Sequence, residues 1–142
     1  MGWLKRFLGL EGGSPPTRGY RGDVCSSTER CREAGSVHGE HYTAHIERVK
    51  QLKRDGRYDE AVALLTRLVE ATESESKAGG AGWGVAPWYY EQLAIICRKQ
   101  KRFVDEVAIL ERYESQTKAP GVGPSKLRER LAKARELARG FQ

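Results

Sequence analysis

A chain of 142 residues, 39% hydrophobic and 8% aromatic, is sized for one domain whose core needs no disulfides, and it has no apolar run of about 18 residues to span a membrane. Three irregularly spaced cysteines, Cys25, Cys31 and Cys97, argue against a secreted disulfide framework, and MGWLKRFLGL, with two cations in its apolar stretch, does not read as a secretory leader; a cytoplasmic protein is expected. The net charge of +6 is uneven: residues 37–117 hold twelve basic and thirteen acidic residues, residues 118–142 seven basic and two acidic, which argues against a wholly nucleic-acid-binding surface.

Two regions follow from the pattern. Residues 1–36 begin with Trp3, Leu4, Phe7, Leu8 and Leu10 around Lys5 and Arg6, the makings of a short amphipathic helix over 2–10. EGGSPPTRGYRG, with four glycines and two prolines, then opens a loosely packed linker that runs to residue 36. Residues 37–142 read as an all-α bundle. Ile46, Val49 and Leu52 recur at helical spacing and predict a helix over 42–54. Past the turn Asp55-Gly56-Arg57, the line Ala61, Leu65, Leu68, Thr72 predicts a second over 57–76, with Asp59 and Glu60 at the positive end of its dipole. KAGGAGWGVAP breaks the pattern, and Pro87 opens a third helix over 87–101 with Tyr89, Leu93 and Ile96 on its stripe. Phe103, Val107, Leu110 and Tyr113 predict a fourth over 103–116. After KAPGVGPS, Leu127, Leu131, Ala134 and Ala138 predict a fifth over 124–139.

GRYDEAVALL at 56–65 returns 45 residues later as KRFVDEVAIL at 101–110, so the unit of two helices and a turn is repeated. These residues resemble the tetratricopeptide repeat. In DGRYDEA, Asp55 to Ala61, Gly56 matches the family's tight turn, Tyr58 the start of helix B, and Ala61 the small residue where the two helices cross. Tyr90, Leu93, Ala94 and Cys97, then Phe103, Leu110 and Tyr113, match the second unit. Arg48 departs from the pattern, as do Lys101 at the turn glycine and Glu106 at the crossing position. WGVAPWYYEQLAIICRKQKRF is also similar to a segment of small actinobacterial and phage proteins to which no activity attaches. The resemblance implies two hairpins and a capping helix. With only two units, either a compact five-helix bundle forms or a second copy supplies the missing neighbour.

The family's peptide groove, carried onto this chain, implies Thr43, Ile46, Lys50, Lys53 and Arg54 from the first unit and Trp88, Glu91, Ile95, Arg98 and Lys99 from the second. Five of the ten are cationic, which suits an acidic segment or the chain terminus of a partner protein, with Trp88 as apolar anchor. A non-enzymatic adaptor is the first expectation, without a cofactor, since no nucleophile setting or acid–base pair assembles. Nucleic acid is the alternative partner, met by Lys126, Arg128, Arg130, Lys133, Arg135 and Arg139 on the last helix. A zinc site of Cys25, Cys31, His41 and His45 is a weaker idea, because five residues separate the cysteines. Trp83, Trp88, Tyr89 and Tyr90 cluster within eight residues. Tyr89 or Tyr90 is expected in the core, and Trp83 and Trp88 either present a surface or seal the loop.

Overall fold

The computed structural model describes residues 24–80 and 83–140, with side chains from residue 29 onward. The helix expected at 2–10 and the first half of the linker lie outside the described residues. The chain runs through α1 (Val24–Ala34), a hairpin of β1 (Ser36–Val37) and β2 (Glu40–His41), and a 3-10 turn (Tyr42–His45). Then follow α2 (Ile46–Arg54), α3 (Tyr58–Gly79), α4 (Pro87–Lys99), α5 (Phe103–Glu114) and α6 (Gly123–Gly140). The fold is all-α apart from that antiparallel pair, in which Ser36 faces His41 and Val37 faces Glu40.

The two repeated hairpins turn in the same way, bond for bond. Arg57 N–H donates to Leu52 C=O at 2.9 Å and Gly56 N–H to Lys53 C=O at 3.2 Å; 45 residues on, Arg102 N–H donates to Cys97 C=O at 2.8 Å and Lys101 N–H to Arg98 C=O at 3.0 Å. This is the Schellman pattern, which needs a left-handed residue after the helix. Gly56 adopts it at φ 70° and Lys101 at φ 56°. The fourth residue of each second helix differs more sharply. Ala61 and Glu106 are both fully buried. The Glu106 carboxylate is tolerated there because Arg98 Nε donates to its Oε2 at 3.0 Å, while Arg98 and Arg130 nitrogens lie 2.8 and 3.0 Å from Oε1.

The core lies along α3 and α4, where Leu65, Leu68, Tyr89, Tyr90, Leu93 and Ile96 are buried, and it continues through Ile109, Leu110 and Tyr113 to Leu127, Leu131 and Ala134. A second buried ion pair clamps α5 to α3: Arg112 donates twice to Glu73, at 2.7 Å each, and Tyr90 OH donates to the same carboxylate at 2.8 Å. The connector 83–86 is pinned to the α5–α6 loop, with Val85 N–H donating to Thr117 C=O at 2.8 Å.

Two expectations are corrected, and a third, that Tyr89 or Tyr90 is in the core, holds for both residues. Residues 24–34, assigned to the linker, form a helix that packs on α3, with Cys31 4% exposed. Packing therefore does not break at 36/37, and Val37 and Tyr42 join the core. Tyr89 and Tyr90 are both buried, because Tyr90 faces α3 and α5 through Glu73 and Tyr113 while Tyr89 faces Tyr42, ring to ring at 5.3 Å. Phe103, placed by its spacing on the apolar stripe of the fourth helix, is only half-buried at the first position of α5.

Candidate functional site

A basic concavity lies between the end of α2, the start of α3 and the last two turns of α4. Lys53, Arg54, Tyr58, Ile95, Ile96 and Lys99 line a recess of about 290 Å³. The Schellman turn at Gly56 places Tyr58 at the head of α3, opposite Lys99, whose Nζ donates to Tyr58 OH at 2.5 Å and stands 5.0 Å from the ring centre. Lys53 reaches across from α2 and donates to Gln92 Oε1 of α4. Arg54 donates to Gln51 Oε1 at 2.9 Å. Among the described residues, none of these three cations makes an ion pair with a carboxylate, and none of the lining residues is acidic. Burial, with the Lys99 charge adding to it, holds the Lys53 ammonium below the usual lysine value. An anion entering the recess relieves that strain by favouring the charged form.

Of the groove residues expected from the sequence, Lys53, Arg54, Ile95 and Lys99 come together. Ile46 and Trp88 are half-buried against the core, at the other end of the same helices, and Trp88 packs edge-on to Tyr89 at 5.1 Å. Lys50 pairs with Glu47 at 2.9 Å on the exposed side of α2. Glu91 pairs with Lys126. Arg98 is a correction: it turns away from the recess to bind Glu106, and its NH2 also donates to Arg130 C=O at 3.4 Å. A buried carboxylate outcompetes a solvated groove for a neighbouring guanidinium, since an unpaired buried charge is costly. Tyr58 and Ile96 were not foreseen in the recess, nor was Gln92 as the partner of Lys53. Helical spacing marks Gln92 and Ile96 as neighbours of Ile95 on α4, but nothing local to Tyr58 points to Lys99, 41 residues on.

The basic last helix has a different character. Lys126 lies 2.6 Å from Glu91, Arg130 3.0 Å from Glu106, Arg135 3.1 Å from Glu111, Lys133 3.3 Å from Glu136 and Arg128 3.9 Å from Glu114. Five of the six cations thus face carboxylates, four of those on α4 and α5, and Arg139 alone of the six has none among the described residues. Among the described residues, no group of three or more His, Cys, Asp or Glu side chains is arranged to hold a metal. His41 Nε2 lies 2.9 Å from Glu75 Oε1 and its Nδ1 2.9 Å from Thr43 Oγ1, His45 Nε2 contacts Val37 C=O at 3.0 Å, and Cys31 is buried. The Cys25 side chain lies outside the described residues. Burial, with the Asp105 charge adding to it, pushes the Cys97 thiol up to about 12, which leaves it protonated and inert at neutral pH. Trp83 is exposed and lies over Gly79, where a Cβ would meet its ring at 2.3 Å.

Among the described residues no helix is long and apolar enough to cross a membrane. No protein-family model, curated protein or solved structure matches the chain.

Proposed function

We propose that the protein is a non-enzymatic interaction module that seats an acidic segment, or the acidic chain terminus, of a partner protein in the recess between α2 and α4. One observation carries this reading. Lys53, Arg54 and Lys99 converge on an aliphatic floor of Ile95 and Ile96 without a carboxylate among them, whereas most cations of α6 already face a carboxylate. Cations without a carboxylate partner around an apolar floor suit a ligand that brings both a carboxylate and an aliphatic group. The same pairing on α6 takes support away from nucleic acid, because cations held by carboxylates release few counterions from a phosphate backbone. The free thiols Cys31 and Cys97 accord with a cytoplasmic setting.

The test is a fluorescence-anisotropy titration of a labelled, extended Asp/Glu peptide containing leucine, run beside a short DNA duplex. The peptide is expected to bind, more weakly as salt shortens the screening length to about 8 Å. Lys53→Glu with Lys99→Glu should weaken it by about tenfold or more, while Arg128→Glu with Arg135→Glu should leave it unchanged. Peptide affinity indifferent to the first pair of changes, or duplex binding lost only with the second, would overturn the proposal.

A further inference from the structure

A second recess, sharing no lining residue with the first, opens between α5 and α6. Val104, Val107, Arg135, Ala138 and Arg139 line a space of about 350 Å³. Its wall is almost wholly aliphatic. Val104 is one of three large hydrophobic residues exposed among the described residues, at 66%. The recess exists because α5 and α6 pack closely through Ile109, Leu110, Leu131 and Ala134, while Ala138 is too small to fill the gap beside Val104 and Val107. Two antiparallel helices with a groove between them present ridges into which a third helix fits. The polar part of the lining consists of two arginines. Arg135 shares its charge with Glu111 at 3.1 Å, and Arg139 has no carboxylate among the described residues.

The charge of that lining selects the occupant. A two-fold contact joins the same patch on both copies, so a second copy of this chain would bring four guanidiniums around one small apolar space. An acidic helix would instead set carboxylates against Arg135 and Arg139 while an aliphatic side chain enters between Val104 and Ala138. We infer that the α5–α6 recess is a docking surface for an amphipathic helix of a partner protein, with aliphatic residues on one face and carboxylates on its flanks.

The probe is a labelled helical peptide of about 18 residues, long enough to hold its helix, with leucines on one face and glutamates elsewhere. It should bind the wild-type chain. Val104→Asp, at an exposed position that leaves the fold intact by circular dichroism, should weaken binding about tenfold. Ala138→Glu should do the same by filling the recess, and Arg139→Glu should weaken it and flatten its salt dependence. Lys53→Glu with Lys99→Glu should leave this affinity unchanged. Failure of the wild type to bind, or indifference to Val104→Asp and Ala138→Glu, overturns the inference. Loss of binding only in the Lys53 and Lys99 variant also overturns it, by placing the helical peptide in the first recess, and the proposed function then stands alone. A dimer in sedimentation that Val104→Asp returns to monomer would give the recess to a second copy, and adhesion to anionic vesicles without peptide binding would give it to a lipid surface; either result rejects a protein helix as the occupant.

Discussion

Lys99 and Arg98 are adjacent in sequence and opposite in role. One turns out over the Tyr58 ring, and the other turns in to a fully buried carboxylate. Glu106 decides that difference. It stands where the first hairpin, 45 residues earlier, has the buried Ala61, and it is held by guanidiniums from α4 and α6. Glu106→Ala should therefore destabilise the fold by about 2–4 kcal/mol, because two half-buried cations lose their shared counter-charge. Chemical denaturation would measure it, and a loss under about 1 kcal/mol would mean that both arginines simply swing into water. Lys101 offers the opposite case. Its φ of 56° is a left-handed conformation that Gly56 adopts freely in the first hairpin. Lys101→Gly should stabilise the protein by about 1 kcal/mol through relief of that strain, read as a higher midpoint in the same melts.

Elements are fixed by turn chemistry at their ends and by close approach between their connectors. The connector before α4 runs against the connector before α6, joined by the Val85–Lys118 bridge. Gly84 makes this approach possible, since a Cβ there would lie 2.0 Å from Ala119 N and 2.2 Å from the Lys118 carbonyl carbon. Backbone atoms cannot give way as a flexible side chain does. Gly84→Ala should cost about 1–3 kcal/mol and loosen α6 from the bundle. Amide exchange would show it as lost protection at Val85 N–H, which donates to Thr117 C=O, and unchanged protection there would refute the account.

At the level of the whole molecule, the core is unusually phenolic, and this makes stability depend on alkaline pH. Burial pushes Tyr42 up to about 12, helped by its bond to Glu75. Burial also raises Tyr89 and, with the Glu73 charge, Tyr90. Cys97 rises from an ordinary 9.0 to about 12. Each group is neutral when protonated, and its folded value lies above its unfolded one. The folded state therefore holds more protons between the two values, so stability is complete below about pH 9 and falls as pH rises towards 12. Cys97 alone should contribute a slope of about 1.4 kcal/mol per pH unit in that window. Denaturant melts from about pH 8 to 11 would show the decline. Constant stability over that range would show that these groups titrate alike in both states.

The sequence by itself determined where helices run and how the hairpins turn, because both are local. Apolar period, glycine and proline breaks and the 45-residue echo located α2 to α6 to within a few residues, and the echo extends to matching hydrogen bonds at Gly56 and Lys101. α1 escaped because VCSSTERCREA has Val24 as its only large aliphatic residue; its helix is supported by contact with α3, which no local pattern records. The functional reading divides in the same way. That Lys53, Arg54, Ile95 and Lys99 share a recess was among the positions that the resemblance to the repeat family implied. Which cations stayed without a carboxylate was decided only in three dimensions, by partners such as Glu106 for Arg98 and Arg130 and Glu91 for Lys126. Charge pairing acts through space over a few ångströms, and residues 8 to 35 positions apart reach that distance only when the helices have packed.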